Sequence, residues 1–144
     1  MRRLIVGVGS AHGDDQIGWT VLDILENRAL SMARFRKVVK PIDMLDWLGD
    51  CDELIIIDGV EGIIDESLQC WGWPNSQLSD ALNGGTHGLG LNQVLELAEE
   101  LLLLPKCVTI VGVPVSECRP IDNLSASLDK SLITIIERIE KLYA

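Results

Sequence analysis

The sequence predicts an α/β protein in which a mostly parallel sheet is covered by helices on both faces. Two continuous apolar runs, Leu4–Gly9 and Leu54–Ile57, have the composition of strands buried on both faces, as in parallel sheets. Segments with the 3.6-residue period of amphipathic helices alternate with strands along the chain. The chain has 144 residues, of which 47% are hydrophobic, so we expect one domain over residues 1–144 with one sizeable core.

The order of strands and helices follows from where the apolar period changes. Continuous or alternating apolar residues indicate strands, and apolar residues spaced three and four apart indicate helices. In chain order we expect a strand at Leu4–Gly9, a helix from Asp14 to about Met32, a strand at Arg36–Pro41, one or two helical turns at Asp43–Gly49, a strand at Leu54–Asp58, an edge strand at Leu68–Trp73, a helix from Leu91 to Leu102, a strand at Lys106–Val113 and a final helix from Ser125.

Apolar residues on one side of each helix predict the face that packs against the sheet. The predicted core residues are Ile17, Val21, Ile24 and Leu25 in the first long helix, Leu91, Val94, Leu95, Ala98, Leu101 and Leu102 in the second, and Leu128, Leu132, Ile135, Ile136, Ile139 and Leu142 in the last. In open sheets of this kind, ligands bind beyond the carboxyl ends of the strands. Polar residues that follow the strands are therefore the first candidates for function.

The net charge limits the classes of partner. With 12 Lys and Arg against 22 Asp and Glu, the chain has a net charge of −10, which disfavours nucleic acid because phosphate contacts need clustered cations. An acidic surface suits metal ions or a basic protein segment. No apolar run reaches the roughly 18 residues of a membrane span, and the N-terminus has the pattern of a first strand rather than of a signal peptide. We therefore expect a cytoplasmic protein with no membrane partner, and a monomer.

The cysteines give a prediction about redox state. Cys51, Cys70, Cys107 and Cys118 are widely spaced and form no C-x-x-C pair. In a chain without a signal peptide, such cysteines are expected to be reduced. We expect most of them to be buried, and a structural zinc site built from them is disfavoured.

The first loop, GVGSAHGDDQIGW, has glycines between a strand and a helix, as phosphate-binding loops do. Its spacing, Gly7-x-Gly9-x-x-x-Gly13, departs by one residue from the G-x-G-x-x-G pattern of dinucleotide-binding folds, and the second strand ends without an acid. Asp14 and Asp15 place negative charge where the helix N-terminus would attract an anion. A nucleotide is therefore disfavoured. One of the two aspartates is expected to cap the helix, which leaves the other for chemistry.

Three side chains form the candidate site, namely Asp15, Asp58 and His87. Asp58 ends the apolar run LIIID, and its alternative role is to cap the turn before Gly59. His87 lies among glycines in GGTHGLG, which allow close approach of another molecule, and its alternative is a solvated loop histidine. Two carboxylates and one imidazole with open positions suit Zn, Ni, Co or Mn. His12 is a competing histidine, either as a fourth ligand, as a residue supporting the ligands, or as a rim residue that contacts substrate.

Four motifs occur in an order that resembles a known family. They are GVGS with GDDQIGW after the first strand, LIIIDGV at the third, THGLGL before a helix and VTIVGVP near the end. The chain resembles the hydrogenase maturation endopeptidases, which finish the large subunit of nickel–iron hydrogenases, and the resemblance spans nearly the whole chain. It implies an α/β/α sandwich around a five-stranded, mostly parallel sheet. It also implies that the partner is a hydrogenase large-subunit precursor, from which a short C-terminal extension is removed after nickel insertion.

The resemblance also implies roles for the candidate residues. The metal-binding acid of the first motif falls on Asp15, the strand-end acid on Asp58 and the loop histidine on His87. The implied metal is nickel carried by the substrate, so the free protein is compatible with an empty site or with Zn or another divalent metal in it. A metal there would polarise the scissile carbonyl or lower the pKa of a bound water, with Asp14 or a released ligand as general base. A serine nucleophile is disfavoured, because Ser10 has no accompanying Ser-His-Asp pattern.

Two departures from the family pattern affect substrate choice most. Ser10 stands where many members have Asn, and KPID follows the second strand in place of an Asp-Gly-Gly-Thr-like loop, with Asp43 as the nearest acid. Trp47, near that region, is expected either to pack or to be partly exposed and touch the substrate.

The first hypothesis for the function of the chain is a metal-dependent endopeptidase. The alternatives are a non-catalytic nickel-binding factor of the same pathway and, with less support, a nucleotide-binding α/β protein.

Overall fold

The fold was determined as a computed structural model, which describes residues 2–10, 16–28, 33–61, 69–73, 90–115 and 126–143. The strands are β1 (Arg3–Val8), β2 (Ala33–Val38), β3 (Glu53–Glu61), β4 (Gln69–Gly72) and β5 (Cys107–Val115). They form a five-stranded sheet in the order β2-β1-β3-β5-β4. All neighbouring pairs are parallel except β4, which pairs antiparallel with β5 at the edge. The predicted α/β class and the predicted edge strand are both confirmed.

The helices cover the sheet on both faces and complete a three-layer α/β/α sandwich. They are α1 (Ile17–Asn27), a 3-10 helix (Pro41–Asp50), α2 (Leu91–Glu100) and α3 (Ala126–Tyr143). Side chains of α1 and α3 pack in one apolar cluster with Ile5, Ile55 and Ile57 of the sheet. The 3-10 helix and α2 belong to a second cluster, with Leu54 and Ile56 on the opposite face. Successive β3 residues therefore alternate between two cores, which is why the strand is apolar throughout.

The central strand β3 is longer than the sequence predicts. It was expected to end at Asp58, but it pairs with β5 from Glu53 to Glu61. Its pairing with β1 stops earlier, at the Gly7–Ile57 pair. The polar residue does not end the strand because β5 continues to supply main-chain partners on the other side. Asp58 is consequently the first β3 residue beyond the last pair with β1.

The first helix is shorter than predicted. It ends at Asn27 rather than near Met32, which lies outside the described residues. Its buried side chains run from Ile17 to Leu25, and the N–H of Arg28 closes the last turn by donating to the carbonyl of Ile24. At the other end, the residue before the first helical position is Gln16, whose side chain makes no capping hydrogen bond. Asp14 and Asp15, one of which was expected to cap the helix, lie outside the described residues, so the aspartate cap stays a prediction.

The end of α2 also differs from the prediction. Leu101 and Leu102 were expected in the core, but they are 54% and 92% exposed. The helix stops at Glu100, and Leu102 adopts a left-handed conformation with φ of 59°. This turn reverses the chain, so that Leu103 and Leu104 pack against the core in their place. A leucine run does not reveal which of its members lies at the reversal.

The last helix confirms most of its predicted face. Ile135, Ile136 and Ile139 are buried, and Leu132 packs against the same cluster. Leu142 was expected in the core but is 54% exposed, because it lies in the last turn of the helix, where the apolar cluster has ended. The side chain of Leu128 lies outside the described residues.

Three glycines permit unusually close packing. A Cβ atom on Gly7 of β1 would lie 2.6 Å from the carbonyl oxygen of Gly18, and one on Gly18 would lie 2.5 Å from the carbonyl oxygen of Val8 and 2.7 Å from that of Ile57. The first turn of α1 therefore rests directly on the main chain at the carboxyl ends of β1 and β3. On β5, a Cβ at Gly112 would lie 2.6 Å from the ring of Trp71 in β4.

The cysteines are free thiols where the structure describes them, but the expectation of burial holds for Cys51 alone. Cys70 and Cys107 are exposed, because one lies on the edge strand and the other at the first residue of β5. Burial raises the pKa of the Cys51 thiol, and the positive charge of Arg34 opposes part of that rise. Cys118 lies outside the described residues. None of the helices in the described ranges is long and apolar enough to cross a membrane.

Candidate active site

The candidate site is centred on the carboxyl edge of the sheet, where Asp58 is the described member of the predicted ligand set. Its side chain is half-buried. Residues alternate along a strand, and Ile56 and Val60 both face the cluster under the 3-10 helix and α2, so Asp58 points to that side of the sheet. The last pair between β1 and β3 is Gly7–Ile57, so the Asp58 carboxylate lies just beyond the end of the β1 pairing, at the carboxyl edge of the sheet.

Two helices begin at this edge. The start of α1 is fixed by Gly18, which touches the carbonyl of Ile57, the residue before Asp58. Because α2 leads into β5 and the parallel crossover requires the helix to run back along the sheet, α2 also begins near the carboxyl ends of the strands. The start of α2 is held by Gln93, whose Oε1 accepts a hydrogen bond of 3.0 Å from the N–H of Gly90. Helix N-termini from both layers therefore meet the strand ends.

The remaining predicted site residues fall outside the part of the chain that the structure describes. These are His12, Asp14, Asp15 and His87. Within the described ranges, no three His, Cys, Asp or Glu side chains cluster closely enough to hold a metal ion. The ligand set of Asp15, Asp58 and His87 therefore stays a prediction.

A polar residue that sequence reasoning missed lies in the first turn of α2. Asn92 is only 8% exposed, and its Oδ1 atom has no hydrogen-bond partner among the described residues. An unpaired buried amide oxygen is unfavourable, typically by about 1–3 kcal/mol. It offers an acceptor at the same end of the sheet as Asp58. The sequence contains no signal for this, because an asparagine one position after Leu91 is equally compatible with an exposed helix flank.

The chain departs from the family pattern at Ser10 and in the segment after β2, and main-chain contacts hold the first of these in place. After β1, the N–H of Gly9 donates to the carbonyl of Val38 in β2 at 3.0 Å, and the partly exposed Ser10 follows at the carboxyl edge. Asp43 is exposed in the first turn of the 3-10 helix. Trp47 is partly buried against the core, and the guanidinium of Arg36 lies 6.0 Å from its ring centroid. Trp47 is therefore partly exposed and also packs against the core, and its contact with substrate stays a prediction.

A described pocket lies at the opposite end of the sheet. It has a volume of 370 Å³ and is lined by Trp73, Glu99, Leu102, Leu104, Pro105, Lys106 and Val108. Lys106 and Val108 flank the start of β5, so the pocket is at the amino ends of the parallel strands. It is therefore separate from the edge that carries Asp58.

Comparison with known proteins gives matches at the level of structure. No protein-family profile and no curated protein sequence matches the chain. The hydrogenase maturating endopeptidase HybD from E. coli has a TM-score of 0.77 and 20% identity, with 96% of this chain and 90% of that chain covered. The NiFe hydrogenase maturation protease HybD from Thermococcus kodakarensis has a TM-score of 0.71 and 18% identity, with both chains covered completely at 100%.

A third structure extends the comparison to another lineage. The hydrogenase 2 maturation peptidase from a Thaumarchaeota archaeon has a TM-score of 0.70 and 25% identity, and covers 99% of this chain and 97% of its own. These matches span the sheet and both helical layers. The chain therefore has the fold of hydrogenase maturation endopeptidases, and the resemblance predicted from the four sequence motifs is confirmed.

Proposed function

We propose that this chain is an endopeptidase that removes the C-terminal extension of a nickel–iron hydrogenase large-subunit precursor after nickel insertion. The observation that carries the proposal is the position of Asp58, a half-buried carboxylate at the carboxyl edge of a sheet that shares its fold with maturation peptidases. In folds of this type, function resides in the residues at that edge.

Chain connectivity supports a site shared by Asp15, Asp58 and His87. Asp15 precedes Gly18 by three residues, and three residues span at most about 11 Å. Gly18 in turn touches the carbonyl of Ile57, next to Asp58. His87 likewise precedes Gly90, the residue before α2, by three residues. Both residues are thus tethered by short segments to helix starts at the same edge.

The chemistry of the three side chains suits the nickel of the substrate. Two carboxylates and an imidazole are ligands that accept a divalent transition metal while leaving coordination positions open. We propose that Asp15, Asp58 and His87 bind the precursor's nickel and so position the scissile peptide bond beside it. The ion then supplies Lewis acidity to the carbonyl or to a bound water. Asp14 is the proposed general base, and a ligand released from the ion is the alternative.

Cleavage is tested by the intact mass of a hydrogenase large-subunit precursor from the same organism, incubated with the protein with and without nickel. The expected result is loss of a C-terminal peptide only when the precursor contains nickel. An unchanged mass for a precursor verified to contain nickel would contradict the proposal. A nickel titration of the protein alone would then distinguish a non-catalytic nickel-binding factor, which binds without cleaving.

The site assignment is tested by alanine variants of Asp15, Asp58 and His87, with Asp58→Asn as a variant of nearly unchanged shape. Each should abolish cleavage and retain a cooperative unfolding transition, because its role is to bind nickel. Glu137→Ala is the matched control, since Glu137 is an exposed acid on α3, away from this edge, and should cleave normally. Normal cleavage by all three alanine variants would mean that the site is elsewhere.

A further inference from the structure

The C-terminal end of α2 departs in three ways from what stabilises a helix end. Leu102 occupies the left-handed position that normally carries glycine, with φ of 59°. Leu101 and Leu102 expose 54% and 92% of their surface. The exposed residues before them include Glu96, Glu99 and Glu100, which add negative charge to the negative end of the helix dipole. Several departures from the preferred structure of a helix end, found at one place, indicate a functional role for that place.

The pocket described above adjoins these residues. Its lining includes Leu102 and Glu99, together with the indole of Trp73 and the apolar side chains of Leu104 and Val108. The indole Nε1 of Trp73 donates a hydrogen bond of 3.2 Å to Oε2 of Glu99, which fixes the aromatic wall. The pocket is open to solvent, and Glu99 and Lys106 add polar groups to its largely apolar side chains. Its apolar part can receive one apolar side chain of another molecule, with Leu102 packing beside it.

The charge of this surface favours one class of binding partner. We define the α2-end surface as Glu96, Glu99, Glu100, Leu101 and Leu102 with the adjoining pocket. Lys106 is a cation in the pocket lining, but the three carboxylates outnumber it. In a chain of net charge −10, this surface repels nucleic acid and anionic lipid headgroups. A second copy would bring the same carboxylates together if it docked through this surface. A cationic segment has the complementary charge.

We propose that the α2-end surface docks a partner-protein segment in which an apolar side chain is flanked by Lys or Arg. The apolar side chain occupies the pocket against Trp73, Leu102 covers it, and the basic residues pair with Glu96 and Glu100. The surface lies at the amino ends of the strands, so that docking there leaves the carboxyl edge open. It is an interaction site in addition to the proposed active site.

Binding is tested by NMR titration of the full isotope-labelled chain, followed at the indole N–H resonance of Trp73. The probes are three synthetic peptides of one length, with sequences Lys-Arg-Leu-Leu-Arg-Lys, the charge-reversed Glu-Asp-Leu-Leu-Asp-Glu and the apolar-deleted Lys-Arg-Gly-Gly-Arg-Lys. Only the first should give a saturable shift, with a Kd of about 1 mM or tighter. Absence of saturation in that range, or equal binding of either other peptide, would overturn the proposal.

Matched variants distinguish docking at this surface from nonspecific binding to exposed apolar residues. Leu102→Gly should weaken the first peptide about tenfold, because it removes the apolar contact without straining the turn. Paired substitution of Glu96→Gln and Glu100→Gln should weaken binding and reduce its dependence on salt. Ile133→Ala removes an equally exposed apolar side chain, 63% exposed on α3, and should change nothing. An equal loss with Ile133→Ala, or a dimer in sedimentation that Leu102→Gly dissolves, would refute this assignment of the surface.

Discussion

Replacing Gly18 by alanine tests whether direct contact of α1 with the strand ends holds this edge together. The added Cβ would lie 2.5 Å from the carbonyl oxygen of Val8 and 2.7 Å from that of Ile57, whereas ordinary contact begins at 3.4 Å, so the nearer overlap is 3.4 − 2.5 = 0.9 Å. Both oxygens belong to the main chain of buried strands and have no rotamer by which to move away. Overpacking costs about 1–3 kcal/mol, and we expect a value near 3.

The magnitude makes this change easy to detect. A domain of this size has a free energy of unfolding of about 5–15 kcal/mol, so Gly18→Ala should remove a substantial fraction of it. In a domain of about 150 residues, Tm shifts by about 2–4 °C for each kcal/mol of change in the free energy of unfolding. A loss near 3 kcal/mol should therefore lower Tm by about 6–12 °C. Urea unfolding and calorimetry would measure both quantities on the same preparations.

Gly49→Ala is the control for the general effect of replacing glycine. A Cβ on Gly49, in the 3-10 helix, would meet nothing within 4 Å. Its effect should stay within about 1 kcal/mol in either direction, since only the entropy of the unfolded chain changes. The argument for direct helix–strand contact is refuted if Gly18→Ala is no more destabilising than Gly49→Ala.

Two further substitutions should change the stability of the fold, one at all pH values and the other only in its dependence on acid pH. Leu102→Gly should raise the free energy of unfolding by about 1 kcal/mol, because glycine adopts the positive φ of 59° without strain; an unchanged or lower urea midpoint would contradict this. Asp52→Asn should reduce the acid sensitivity of folding. Hydrogen bonds from Arg2, with its main-chain N–H 2.8 Å from Oδ2, lower the pKa of Asp52 below its ordinary value of 3.8. A lowered pKa stabilises the fold above pH 3.8, and this is lost as the pH falls through the folded-state pKa. Stability measured from pH 6 to pH 2 should therefore fall less steeply in the variant, and identical slopes would exclude the effect.

The sequence predicted the layers of the fold better than the ends of its elements. Apolar runs such as Leu54–Ile57 identify buried strands because both sides of the strand meet a core. Ends depend on tertiary partners, which a local pattern does not contain. The strand β3 passes Asp58 because β5 continues beside it, and α2 stops before Leu102 because the chain reverses there.

The sequence predicted the part of the candidate site that lies on a strand better than the parts that lie in the connections. Asp58 follows an apolar run, and its placement at the carboxyl edge follows from the parallel order of the sheet. Asp15 and His87 lie in connections between elements, where no period fixes which side chains meet, so their joint role rests on the resemblance. The buried Oδ1 of Asn92 had no sequence signal, because burial on a helix flank depends on neighbours from other segments.

The contact between Trp71 and Gly112 couples two positions that are distant in the sequence. The indole occupies the space where a side chain at position 112 would begin, with Cζ3 only 2.6 Å from a Cβ built there. A larger residue on β5 would expel the ring, and a smaller residue on β4 would leave an empty groove beside the glycine. Each change should therefore destabilise the sheet edge when made alone, and the two together should be better tolerated. Substitutions at the two positions are expected to occur together.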